Sequence, residues 1–119
     1  MTKVELKNKI INFYDTHESF TKPKGGTFYI SNIGTTKIGN ETKEAFQYSG
    51  QCKFVPFDTL YKCYEQILQE NKLTREWFET TFSIENSGRP CNYTTIGSIL
   101  VKLGIADYAG QGAYNRINI

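Results

Sequence analysis

Hydrophobic positions change their period along the chain, and the elements follow from those changes. Val4, Leu6, Ile10, Phe13 and Tyr14 recur at near-helical spacing behind Thr2 and Glu5, a T-x-x-E capping box, which predicts a first helix ending at about Tyr14 or Asp15. Pro23, Gly25 and Gly26 break the pattern, and Thr27, Phe28, Tyr29, Ile30 and Ile33 then have strand composition. Turn signals at Gly39-Asn40 and Ser49-Gly50 separate β-prone pieces at residues 45–48 and 52–55. Two or three short antiparallel strands are expected, with a register that the imperfect alternation does not fix.

From Asp58 the period becomes 3.6. Leu60, Tyr64, Ile67 and Leu68 share one face, Asp58 is placed to cap the start and Asn71 to close the end. Thr74 is the N-cap of a short helix whose Trp77, Phe78, Thr81 and Phe82 line the buried side. The segment SIENSGRP has loop composition. Asn92 then caps a third helix of this half, with Ile96, Ile99, Leu100 and Leu103 inward, Thr94, Thr95, Ser98 and Lys102 mainly on the other side, and Gly104 as its C′ residue. Residues 105–108 and 113–117 form a closing hairpin around Gly110 and Gly112, where glycine supplies positive φ. The fold class expected is α+β, in a single domain with halves at residues 1–57 and 58–117.

Composition narrows the function classes. A chain of 119 residues with 39% hydrophobic and 14% aromatic content is long and apolar enough for one core. The net charge of +2 neither demands nor excludes a nucleic-acid partner, so its distribution matters. Residues 1–57 carry 8 Lys and 5 acids, residues 58–85 carry 3 basic and 6 acidic groups, and residues 86–119 carry Arg89, Lys102 and Arg116 against Asp107. The middle is acidic and both flanks are basic. No apolar run approaches the roughly 20 residues that span a bilayer, and no signal-peptide stretch follows the lysine-rich start, so a soluble, cytoplasmic protein with no membrane partner is expected. Cys52, Cys63 and Cys91, with His17 far away, fit neither a disulfide framework nor a zinc site.

Helix, short connection, helix, loop, helix and hairpin, carried by DTLYKCYEQILQEN, LTREWFETTF, NYTTIGSILVKLG and IADYAGQGAYNRI, resembles the winged helix-turn-helix family over residues 58–117. The resemblance implies that the third helix enters the major groove and the wing lies over backbone or minor groove. By position, Tyr93, Thr94, Thr95 and Ser98 would face bases and phosphates, and Gln111, Tyr114, Asn115 and Arg116 would act from the wing. Arg89 and Lys102 are the added phosphate candidates. The helix offers hydroxyls where a sequence reader carries Arg, Lys, Asn or Gln, which points to backbone contact rather than base readout. Gly97 costs a mid-helix position about 1 kcal/mol relative to Ala and suggests that another backbone comes close. Residues 1–57 match no family pattern; a dimerisation layer and an extension of the wing-bearing sheet are both open.

Catalysis has thin support. Glu41 and Lys43 match the E-x-K half of a nuclease metal site, without an evident aspartate on an adjoining strand. Cys91 stands near a helix start with no base placed by the sequence, and the glycine clusters lack a P-loop lysine. The expectation is therefore a non-enzymatic DNA-binding protein or accessory domain without cofactor or metal. The alternative is a protein-binding module, such as a small phage or bacterial regulator or inhibitor of a defence enzyme.

Overall fold

The computed structural model describes residues 1–49 and 54–117. Gly50, Cys52 and the start of the expected strand at 52–55 lie outside the described residues. The protein is a mixed α+β chain of two compact units, residues 1–61 and 62–119, with helix α2 (Phe57–Glu70) beginning in the first and ending in the second.

In the first unit, helix α1 (Lys3–Thr16) starts on both bonds of the expected capping box: Glu5 N–H donates to Thr2 Oγ1 at 3.2 Å, and Thr2 N–H donates to Glu5 Oε1 at 3.0 Å. It ends where His17 turns left-handed, φ 54°. The strands are β1 (Ser19–Thr21), β2 (Thr27–Ile38), β3 (Glu41–Tyr48) and β4 (Phe54–Pro56), in the antiparallel order β1-β2-β3-β4. Strand β1 lies inside the segment that local composition marks as a break. Phe20 holds it there, stacking on Phe28 at 5.0 Å and meeting Phe13 of α1 edge-on at 5.1 Å. The β2–β3 hairpin turns at Gly39-Asn40, with Gly39 at φ 60°, and runs well past the expected end at Ile33. Leu6, Ile10, Phe20, Phe28, Ile30, Phe46, Tyr48 and Val55 are buried.

In the second unit, α2 buries Cys63, Tyr64 and Ile67, and Asn71 closes it in a left-handed conformation, φ 62°. Asp58 falls inside the first turn of α2 instead of capping it; its carboxylate pairs with lysines described below. Strand β5 (Lys72–Leu73) follows, then helix α3 (Arg75–Thr81), capped as expected by Thr74, whose Oγ1 accepts from Trp77 N–H at 3.1 Å. Only Phe78 of its apolar residues is buried; Trp77 and Phe82 are half-buried against each other and Thr81 is exposed. The segment with loop composition instead forms a short helix, α4 (Ser83–Gly88), anchored by buried Glu85. Helix α5 (Cys91–Lys102) and strands β6 (Ala106–Gly110) and β7 (Ala113–Arg116) complete the unit, with sheet order β5-β7-β6.

Helix α5 ends on Gly104 at φ 75°. Ile105 N–H donates to Leu100 O and Gly104 N–H to Val101 O, both at 3.0 Å, the paired bonds of a Schellman closure. Among the described residues, no helix is long and apolar enough to cross a membrane.

Candidate nucleic-acid interface

The outward polar face expected on α5 is not there. Asn92, Tyr93, Thr95, Ile96, Gly97, Ser98, Ile99 and Leu100 are all buried, with Thr95 at 1% and Ser98 at 2% exposure. Small hydroxyls suit this burial because a helical Ser or Thr satisfies itself locally; Ser98 Oγ donates to Thr94 O at 2.8 Å. Asn92 does not cap the helix either. Pro90 occupies the cap position, and Asn92 Nδ2 donates to Glu85 Oε2 at 2.8 Å, a charge-assisted bond that satisfies a buried carboxylate.

Thr94 is half-buried and taken up by a residue that the sequence pattern did not single out. Arg75, in the first turn of α3, donates through Nη2 to Thr94 Oγ1 at 3.2 Å and through Nη1 to Pro90 O at 3.3 Å. Its guanidinium carbon lies 4.8 Å from the centroid of the Tyr93 ring. The charge of Arg75 thus serves the α3–α5 contact, and nothing in its sequence context distinguishes it from a solvated arginine.

Two further expected contact residues are core residues. Tyr93 and Tyr114 are each 1% exposed and meet edge-on at 5.8 Å, with Phe78 beyond Tyr93 and Tyr108 beyond Tyr114. Gly97 does mark a close approach, but what approaches is the Tyr114 ring and not another backbone. A Cβ on Gly97 would lie 2.1 Å from Tyr114 Cζ. Burial pushes the Tyr114 phenol up to about 12, helped by neighbouring Tyr108, and raises the Tyr93 phenol as well. Both rings are neutral at physiological pH.

The hairpin differs. Its turn is Gln111-Gly112, with φ of 53° and 74°, the two positive values of a type I′ turn, while Gly110 takes φ 89° at a register shift in β6. Gln111 is exposed at the tip. Across the sheet, Asn115 pairs with Lys72 on one side and Asp107 on the other, and all three are exposed. Arg116 is exposed while its Nη1 donates to Leu68 O at 2.8 Å, near the C-terminal end of α2, where a cation is favoured. Lys102 is exposed in the last turn of α5, and Arg89, half-buried, ends α4. Of the residues expected at the interface, therefore, Gln111, Asn115, Arg116 and Lys102 are presented to solvent, Thr94 and Arg89 in part, and Tyr93, Thr95, Ser98 and Tyr114 are not.

The E-x-K pair of the first unit has an aspartate beside it, Asp58, which comes from the first turn of α2 and not from an adjoining strand. Lys43 Nζ lies 3.1 Å from Glu41 Oε2 and 3.2 Å from Asp58 Oδ2 at an open cleft of about 260 Å³ lined also by Lys3, Thr42, Glu44 and Phe57. Lys3 pairs with Asp58 and Lys7 with Glu44, whose carboxyl is held below its usual value by that lysine. Three lysines match three carboxylates, and an ammonium already stands between Glu41 and Asp58. Among the described residues no three His, Cys, Asp or Glu side chains converge as metal ligands. Cys63 is buried, which raises its thiol well above the usual value, while Cys91 is exposed. Comparison with known proteins finds no matching family model, no matching curated protein and no matching solved structure.

Proposed function

We propose that the protein is a non-enzymatic binding module with a winged-helix-like half that engages the phosphate backbone of duplex nucleic acid through the β6–β7 hairpin and the outer face of its sheet, not through α5. The observation that carries this reading is the division of polar groups in the second unit. Asn92, Thr94 and Ser98 of α5 are bonded internally and Thr95 is buried, whereas Gln111, Asn115, Lys72 and Arg116 stand exposed, with Asp107 beside Asn115, on one small sheet and its tip. The element order from α2 to β7, with β5 joined to the second strand of the hairpin, agrees with the winged-helix pattern. Amides, an ammonium and a guanidinium position a protein on a backbone without reading sequence.

The test is titration of a fluorescent random-sequence duplex with the full chain across a salt series. Binding that weakens as salt rises, with a log–log slope reduced by about 1 in Arg116→Ala, supports the reading. Absence of any anisotropy change at low ionic strength removes it. A second reading, a protein-binding module that regulates or inhibits its partner, is favoured by charge: residues 62–119 hold six basic and six acidic side chains. Ile84 and Val101 are exposed in that unit at 67% and 37%. Salt-independent capture of a host protein would select it.

A further inference from the structure

Gly112 of the hairpin turn is held from both sides by phenol hydroxyls. Its N–H donates to Tyr108 Oη at 3.2 Å, and its carbonyl accepts from Tyr93 Oη, which also reaches Leu73 O of β5 at 3.2 Å. Two tyrosines, one from α5 and one from β6, therefore fix both polar groups of a single turn residue. A two-residue turn at a hairpin tip is ordinarily its most mobile part, because its peptide groups face water. Here the tip is tied to β5 and α5 through one ring that is almost wholly buried, and Tyr93 is itself held by the Arg75 guanidinium over its face and by Phe78 at 5.3 Å.

We propose that this clamp makes the hairpin tip a rigid contact element, with Tyr93 and Tyr108 as positioning residues that hold Gln111 in the orientation in which it meets the phosphate backbone. The proposal rests on the nucleic-acid reading given above for its second half, while the rigidity of the tip stands on the hydrogen bonds alone. A preorganised tip loses little conformational freedom on contact, which is how a small polar surface gains affinity. Tyr108 is half-exposed, so replacing it with Phe removes the hydroxyl from Gly112 and leaves the ring packed on Tyr114.

The test uses the full chain, the variants Tyr108→Phe, Tyr93→Phe, Gln111→Ala and the double variant Tyr108→Phe/Gln111→Ala, and a random-sequence DNA duplex as the probe. Amide exchange and ¹⁵N relaxation of residues 110–112 in the free protein read the clamp; duplex affinity reads its consequence. Tyr108→Phe is expected to speed Gly112 amide exchange by about tenfold and to weaken duplex binding about three- to tenfold, the scale of one neutral hydrogen bond, with unchanged far-ultraviolet circular dichroism. In the Gln111→Ala background the same substitution is expected to change affinity less than twofold, a non-additivity that general destabilisation would not produce. Unchanged Gly112 exchange in both Phe variants overturns the clamp. Faster exchange with unaltered affinity, or with full additivity, overturns the positioning role, and so does a rigid tip on a wild-type chain that binds no duplex, a result that at the same time removes the functional reading.

Discussion

Helix α5 and the β6–β7 hairpin are neighbours in the chain and use their polar residues in opposite ways. On the helix, Asn92 donates to Glu85, half-buried Thr94 accepts from Arg75, Ser98 donates to a carbonyl of its own helix and Thr95 is buried. The hairpin carries Gln111, Asn115 and Arg116 and turns them outward, while its one large aromatic from β7, Tyr114, fills the space above Gly97. A hydroxyl-rich helix face is thus no sign of a binding face. Short hydroxyls are polar groups that a core accepts at low cost, because a helical Ser or Thr can find a partner within one turn, as Ser98 does. The longer side chains of Gln111, Asn115 and Arg116 remain exposed, although Arg116 also donates to Leu68 O.

The largest effect expected from breaking this division is at its seam. Truncating Tyr114 to Ala should cost about 4 kcal/mol in urea unfolding, as for other buried aromatics. Gly97→Ala should cost about 3 kcal/mol, since the added methyl meets the ring and not solvent. In the Tyr114→Ala background, Gly97→Ala should be close to neutral or stabilising, and additive costs would show that the two residues do not share the space described. Next, Asn92→Ala should lose about 2 kcal/mol by leaving the Glu85 carboxylate short of a buried donor, measurable by the same unfolding curves.

A pH scan sharpens the same contrast. The Tyr114 phenol is raised by burial to about 12 from an ordinary 10, so the unfolded chain releases its proton first. The stability tied to the buried phenol is complete below pH 10 and is lost as pH rises from about 10 towards 12. Tyr114→Phe should reduce that alkaline loss in the thermal midpoint and leave the part due to the buried Tyr93 phenol. The smallest effect belongs to the tip: Gln111→Gly relieves a positive φ at an exposed position and should change stability by no more than about 1 kcal/mol.

Much of the architecture was legible because several local signals agreed. The Thr2/Glu5 box, the Thr74 cap, Asn71 and Gly104 as left-handed closures and the Gly39-Asn40 turn each name a backbone conformation in a few residues, and each stands where the pattern put it. Where only tertiary contacts decide, the sequence misled or was silent. Strand β1, only three residues long and next to Pro23 and two glycines, is held by Phe20 packing between Phe13 and Phe28, and α4 forms around the buried Glu85–Asn92 bond in a segment of loop composition. Asp58 and Asn92 illustrate the limit of cap assignment, since each is a good capping residue that found a stronger partner, Lys43 and Glu85.

The exposure of the candidate residues follows from the sequence for the outer ones and not for the inner ones, for the same reason. Gln111, Asn115 and Arg116 are polar under any packing, whereas the side a tyrosine or threonine faces depends on what covers it. Tyr93 and Tyr114 entered the core, and Arg75, which a sequence gives no cause to separate from other arginines, became the residue that ties α3 to α5.

Amide chemical-shift mapping of the full chain on addition of a random-sequence DNA duplex at low ionic strength tests the central claim most directly. The division of polar groups predicts the largest shifts at residues 110–112, Lys72, Asn115 and Arg116, reversed by added salt. Shifts concentrated on the buried face of α5 at Thr95 and Ser98, or none anywhere, would contradict it.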